Sequence, residues 1–276
     1  MSMVRLTSQS RCLIRYGYEN VNVTVIAKLF KRKYSEISVS SIQDCQDYLN
    51  YCKNNEIDLN SAVFRGTLYE LFSLKVLQNH LNGRNLIKVG GAYDNGIDIL
   101  GKWDLQAFYD KVSQSEKDKL IKIPSTSLLK QSNVFDGSIS LKNDITILVQ
   151  CKNSVQKMTA KIIRELSGIY HYHIGSQKNL KRAIATHYLF LASPTRLTPQ
   201  AIKQLDQSPI PIIHMRLDPL VLNQVDADTD RYLLQNWNEG GKLHSVYLNI
   251  MARKLLSGFK LELQLQALIH QQSLLN

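Results

Sequence analysis

Short runs rich in β-branched residues alternate with helix-like stretches through the middle of this chain, and that alternation restricts it to a mixed sheet covered by helices on both faces. Leu86–Val89, Gly96–Gly101, Ile145–Lys152, His187–Ala192 and Ile210–Met215 read as strands. Ser41–Asn54, Ser61–Leu81 and Thr159–Tyr172 read as helices. Thr198-Pro199 opens another, with the hydroxyl as N-cap and Pro at the first helical position. The 276 residues, 44 % hydrophobic and 21 % charged, suffice for a substantial core and exclude a disordered or collagen-like chain. Apolar stretches are strand-sized, and none approaches the roughly 20 residues of a membrane-spanning helix.

Charge is concentrated at one end. The net charge is +11, and residues 1–34 supply much of it through Arg5, Arg11, Arg15, Lys28, Lys31, Arg32 and Lys33 against the single acid Glu19. Ser2, Thr7, Ser8 and Ser10 precede Arg11, and no acid occurs before Glu19. An Arg- and Ser-rich, acid-poor amino terminus reads as a mitochondrial transit segment. The rest of the chain is mildly basic, which permits a local nucleic-acid patch without requiring one. Cys12, Cys45, Cys52 and Cys151 lack CxxC pairing and read as reduced thiols.

The residues that carry chemistry lie around Ile145–Lys152. Side chains alternate along a strand, so Ile145, Ile147, Val149 and Cys151 share one face, while Thr146, Leu148, Gln150 and Lys152 share the other. The second face therefore ends in an amide and an ammonium. In Gly96-Ile97-Asp98-Ile99-Leu100, the same alternation turns Asp98 away from the faces of Ile97 and Ile99. Pairing of these strands would bring an acid, an amide and a Lys together. On the helix at 61–81, Val63, Thr67, Glu70, Leu74, Leu77 and Leu81 recur at three- and four-residue intervals and form one expected core-facing stripe. Glu70 in its middle requires a salt bridge, hydrogen bonds or a metal.

Glu70, then Gly90-Gly91-Ala92-Tyr93-Asp94-Asn95-Gly96-Ile97-Asp98, then Val149-Gln150-Cys151-Lys152 resembles the PD-(D/E)xK nuclease superfamily, in its Mrr-like type IV restriction endonuclease branch. The resemblance continues through Arg164-Glu165-Leu166-Ser167-Gly168, Leu189-Phe190-Leu191, Thr198-Pro199-Gln200-Ala201 and Ile210-Pro211-Ile212-Ile213, and covers about residues 61–215. With the basic amino terminus, the whole resembles the fungal mitochondrial "required for respiratory growth" family. The resemblance implies a restriction-endonuclease-like α-β-β-β-α-β core and a phosphodiesterase dependent on Mg²⁺ or Mn²⁺. It makes Asp98 the principal ligand, the backbone carbonyl of Cys151 the second and Gln150 a neutral third. Glu70 binds the ion through water or takes a proton. Lys152 orients and helps to deprotonate the attacking water, or balances charge on phosphorus.

Four segments follow: a basic transit region at 1–34, a helical lead-in at 35–60, the endonuclease-like domain at 61–215 and a helical extension at 216–276. The 52 positions between Asp98 and Gln150 require residues 103–143 to loop out, as a lid over the site or as an insertion. The expected partner is nucleic acid, DNA first, with a homodimer as the expected assembly and no integral membrane segment. The expected function is metal-dependent phosphodiester hydrolysis in mitochondrial DNA maintenance. The alternative is an inactive nuclease fold that serves as a nucleic-acid-binding or assembly factor for respiration. Among smaller signals, Glu165 is a supporting acid at most, and Lys178, Lys181 and Arg182 form a basic cluster suited to phosphate or solvent. The Leu-rich stretch at 261–275 reads as a docking helix or dimer contact.

Overall fold

A computed structural model describes residues 39–89, 95–119, 123–131, 139–223 and 230–275, with 272–275 as backbone alone. The amino-terminal basic segment and Gly90–Asp94 of the loop motif lie outside the described residues. A single 3₁₀ turn at Val39–Ser41 leads into α1 (Cys45–Asn54), capped by the Asp44 carboxylate, and then α2 (Ala62–Leu81), whose N-cap Ser61 accepts from the Phe64 N–H. The strands and helices that follow are β1 (Gly83–Lys88), β2 (Ile99–Trp103), β3 (Thr146–Cys151), α3 (Ala160–Ile174), α4 (Leu180–Thr186), β4 (His187–Ser193), α5 (Pro199–Asp206), β5 (Ile212–Leu217), β6 (Leu243–Leu248), α6 (Ile250–Leu255) and α7 (Leu261–Leu275). These six strands form one sheet in the order β1-β2-β3-β4-β5-β6, and Leu220–Val221 pairs with Glu239–Gly240 in a separate two-stranded ribbon. β1, β2 and β3 make an antiparallel meander, β3, β4 and β5 run parallel, and β6 closes the far edge antiparallel to β5. The parallel pairs need crossovers, which α3 with α4 and then α5 supply.

Both faces are covered, as the alternation requires. Ile147 and Val149 of β3 pack with Leu74, Leu77 and Leu81 of α2 on one face. Leu148 packs with Ile163, Leu166 and Tyr170 of α3 on the other. A third cluster joins Tyr48, Leu49 and Cys52 of α1 to Phe64, Leu68 and Leu71 of α2 and to Trp237. This third cluster alters the expected stripe on α2. Val63 is 75 % exposed, and the amino-terminal half of the helix instead buries Phe64, Leu68 and Leu71. α1 sits against that half, so the buried arc shifts around the helix.

Two other expectations are corrected. The chain after 216 is not simply helical, because Leu243–Leu248 adds a sixth strand in register with Ile213–Leu217. Ile210–Met215 is therefore not the last strand. Nor do the described residues of 103–143 form a separate excursion. Leu105, Phe108, Tyr109, Leu128, Leu129 and Leu141 are buried in the same cluster as α2, together with Phe259, Leu261 and Leu265. The Gln264 amide donates to the Phe108 carbonyl at 2.9 Å, and the Ser127 hydroxyl donates to the Ser257 carbonyl at 2.8 Å. Trp103, fully buried, donates from Nε1 to the Leu81 carbonyl at 2.7 Å and meets the rings of Tyr188 and Phe190 edge-on. Thus α7 docks on its own chain through Leu261 and Leu265, leaving Leu263 exposed. Among the described residues, no helix is long and apolar enough to cross a membrane.

The register fixes which end of the sheet each segment occupies. Ile99 pairs with Val149 and Lys102 with Thr146. Asp98 therefore lies beside the carboxyl end of β3, whereas 103–143 leaves β2 beside the amino end of β3. Six strand residues separate these ends by about 20 Å. The segment 103–143 therefore leaves the sheet, and rejoins it at Thr146, at the end opposite Asp98.

Candidate active site

Asp98 occupies the last ladder position before β2 opens. Its N–H donates to the Val149 carbonyl at 2.8 Å, and its own carbonyl accepts from the Val89 N–H at 2.8 Å. The approach to it is bent. Asn95 and Gly96 have φ of 53° and 81°, the left-handed region, and a Cβ on Gly96 would fall 2.5 Å from Ile169 Cδ1 of α3. Glycine is required there on both counts. The bend also breaks the alternation assumed across Gly96–Leu100. Ile97 joins the α3 cluster while Ile99 joins the α2 cluster, so the two do not share a face.

The Asp98 carboxylate folds back on the end of β3. Its Oδ2 accepts from the Cys151 N–H at 2.5 Å and from Gln150 Nε2 at 3.3 Å. Both Asp98 and Gln150 are buried, at 6 % and 7 % exposure. A buried carboxylate is tolerable when donors of this kind surround it. The Gln150 side chain lies on the α3 side, since its Oε1 is 3.5 Å from the Cβ that Gly96 lacks. Cys151 faces the α2 layer and packs against that cluster. Burial pushes its thiol well up, with the charges of Asp98 and Glu70 adding to the shift and Lys152 opposing it. Cys151 is consequently a neutral thiol and contributes its backbone, not a thiolate, to this corner. Lys152 is half-buried, its N–H donates to the Ala192 carbonyl at 2.9 Å, and its ammonium forms no ion pair among the described residues.

Glu70 reaches the same corner from α2, and here the structure adds a residue the sequence reading missed. Lys88, at the end of β1, is buried at 4 %, and its Nζ lies 3.7 Å from the Glu70 carboxylate, which keeps 21 % exposure. The signal was present in the strand alternation: Leu86 and Lys88 are buried, while Ile87 and Val89 between and beyond them are exposed. A lysine in phase with a core leucine has to find a carboxylate. The Lys88 backbone is held from outside by Gln43, whose Oε1 accepts from its N–H at 2.5 Å and whose Nε2 donates to its carbonyl at 3.1 Å.

The structure thus brings Asp98, Gln150 and the Cys151 backbone into contact, places Lys152 next in the chain, and seats Glu70 with Lys88 within electrostatic reach of Cys151. Among the described residues, no group of three or more His, Cys, Asp or Glu side chains is placed to hold a metal ion. The donors on offer are two carboxylates, an amide oxygen and a backbone carbonyl, an all-oxygen set suited to a hard cation that retains several waters. Another candidate falls away: Glu165 makes a surface pair with Lys161 at 3.8 Å. Cys45, Cys52 and Cys151 are free thiols, and burial raises the first two to about 12 and about 11.

Fold and site together define a mixed α/β protein with a buried carboxylate–amide corner at the carboxyl end of its central strand. A family model described as Required for respiratory growth protein 7 matches residues 61–256, and the chain belongs to that family. It is 30 % identical over 237 residues to a protein of Vanderwaltozyma polyspora named "Required for respiratory growth protein 7, mitochondrial", spanning 83 % of this chain and 86 % of that one. The protein of the same name from Kluyveromyces lactis is 32 % identical over 213 residues, 75 % of this chain and 84 % of its own. That from Saccharomyces cerevisiae strain YJM789 is 28 % identical over 235 residues, covering 81 % and 90 %. The protein is accordingly mitochondrial, in line with its basic amino terminus, and its relatives are named for respiratory growth. No solved structure matches the chain.

Proposed function

We propose that this protein is a PD-(D/E)xK, Mrr-like phosphodiesterase of the mitochondrion, acting on nucleic acid, DNA first, in the maintenance of mitochondrial DNA. The observation that carries the reading is the contact of the Asp98 carboxylate with the Gln150 amide and the Cys151 N–H, followed directly by Lys152. A bound Mg²⁺ or Mn²⁺ would supply Lewis acidity and a more acidic water. Asp98, the Cys151 carbonyl and Gln150 would hold the ion, with Glu70 beyond them through water or as a proton acceptor. Lys152 orients the attacking water and balances the charge that grows on the phosphoryl oxygens. Gln150 in place of a second acid keeps the site less negative, so weak metal affinity is expected.

A second reading draws on the Glu70–Lys88 pair and on the same Asp98 contact seen from the other side. Glu70 is engaged with Lys88, and one oxygen of Asp98 is engaged by the Cys151 N–H. An inactive nuclease fold that binds nucleic acid or assists assembly would need neither carboxylate for metal. Purified full-length protein incubated with Mg²⁺ or Mn²⁺ and single-stranded, duplex and branched DNA, and with RNA, separates the two. Cleavage lost in both Asp98→Ala and Lys152→Ala supports hydrolysis at this corner, whereas cleavage surviving both changes rejects the assignment. Absence of cleavage on every substrate, with no heat of metal binding by calorimetry, leaves the second reading.

A further inference from the structure

The opposite end of the sheet carries a different chemistry. Two adjoining clefts of about 390 and 660 Å³ share Lys102 as a common wall. Arg84 and Lys142 line the smaller, and Lys178 and Arg182 line the larger. These cations come from β1, β2, the turn before β3, the loop before α4 and α4 itself, so the fold assembles them from distant parts of the chain. Arg84 is set by Asp104 at 3.0 Å and Arg182 by Asp144 at 3.1 Å. Lys102, Lys142 and Lys178 form no ion pair among the described residues, and Lys102 donates only to the Thr146 hydroxyl at 3.2 Å.

The remaining lining is mostly amide and hydroxyl, with Ala183 its one aliphatic side chain, the His187 ring, and a single carboxylate, Asp144, which is the one already paired with Arg182. Such a surface has nothing to offer an apolar ligand, and no lining side chain is shaped to enter a bilayer. Two concave lobes with unpaired cations around a shared lysine fit a ligand that carries successive negative charges on a narrow chain. We infer that this double cleft is a second, non-catalytic binding site for the phosphodiester backbone of a nucleic-acid strand. Phosphate contacts of this kind fix position and affinity without reading sequence. The inference goes beyond the proposed hydrolysis and stands whether or not the Asp98 corner cleaves anything.

The test uses full-length protein, chelator in place of metal, and anisotropy of a labelled single-stranded oligonucleotide between about 50 and about 200 mM salt. Lys102→Gln, Lys142→Gln and Lys178→Gln together are expected to weaken binding at least about tenfold and to reduce the salt slope by about 2, at about 0.7 per lost contact. Because residues 1–34 are themselves basic, a charge-matched variant is essential: Lys75→Gln, Lys203→Gln and Lys254→Gln, all exposed, should stay within about twofold of the parent. The pair Lys142→Gln and Lys178→Gln, both exposed, gives a partial loss that folding cannot explain. Equal loss in the charge-matched variant overturns the inference in favour of general charge. Binding to phosphatidylcholine–cardiolipin vesicles with no binding to the oligonucleotide overturns it in favour of a membrane. Failure of cleavage leaves these outcomes untouched, so the two readings fail separately.

Discussion

The two ends of the central sheet treat charge in opposite ways. At the carboxyl end of β3, Asp98 and Lys88 are nearly inaccessible, and each is met inside the protein, by the Cys151 N–H and by Glu70. At the amino end, Lys102, Lys142 and Lys178 form no ion pair among the described residues, and Lys142 and Lys178 are exposed. Burial forces internal compensation because an uncompensated ion in a poorly polarisable interior costs several kcal/mol. Exposure removes that requirement, since water and salt screen the ammonium groups at little cost. The first end is therefore built for a fixed geometry and the second for a partner brought from outside.

Experiments that strike one end and spare the other put this contrast to the test. In the cleavage reaction, Lys152→Ala is expected to lose 100- to 1000-fold in rate, about 2.7–4 kcal/mol of transition-state stabilisation, with oligonucleotide binding in chelator preserved. Next, Lys88→Ala removes the buried cation beside Glu70 and should lower unfolding free energy by about 3 kcal/mol in urea titrations, the low end for a buried pair because Glu70 retains some solvent. An unchanged midpoint would mean that Glu70 finds water readily enough to make Lys88 dispensable.

Acid provides a third probe. His214 of β5 is buried against the Ser193 hydroxyl at 2.8 Å, and burial with the nearby Arg216 holds its imidazole down to about 4. The folded value is depressed, so the unfolded chain takes up a proton first as pH falls. Stability is then full above about 6.5, drops by up to about 3 kcal/mol between 6.5 and 4, and loses nothing more from this group below that. His80 and His187 are also lowered by burial and act in the same direction. Urea midpoints at neutral pH and near pH 4.5 measure the slope, which His214→Gln should flatten; a slope unaltered by that change assigns the acid sensitivity to other groups. Gly96→Ala, which meets Ile169 and an unfavourable φ, should cost about 2 kcal/mol on the same assay. Smallest of all, Lys142→Gln at the exposed end should stay within about 0.5 kcal/mol.

The sequence made some of this arrangement legible and hid the rest. The β3 alternation separated Ile147 and Val149 from Leu148 and Gln150, and the sheet does divide them between its two faces. Helix starts were readable because Ser61 and Thr198 cap with their own side chains, a local interaction. The approach of Asp98 to Gln150 across 52 positions was inferred from strand pairing, and the hydrogen bond between them now gives it a geometry. Lys88 escaped notice although the alternation puts it in phase with Leu86, because its partner Glu70 comes from α2, which the strand pattern by itself does not announce. Leu243–Leu248 escaped because Leu243 and Leu248 are its fully buried side chains, leaving an edge strand without a continuous apolar run. The 103–143 region, broken into turns of four or five residues at Gln106–Asp110, Gln114–Lys117 and Leu128–Gln131, is too short-paced to show a helical period, although it buries large side chains.

Gln43 has a practical bearing on how the protein can be shortened. By offering one acceptor and one donor to the same residue, its amide impersonates a neighbouring strand one residue long on the side of β1 away from β2. The family match begins at residue 61, yet this surrogate neighbour lies eighteen positions earlier. An expression boundary drawn at the match would strip the outer rim of the sheet where Lys88 is anchored, inviting another chain to dock there instead.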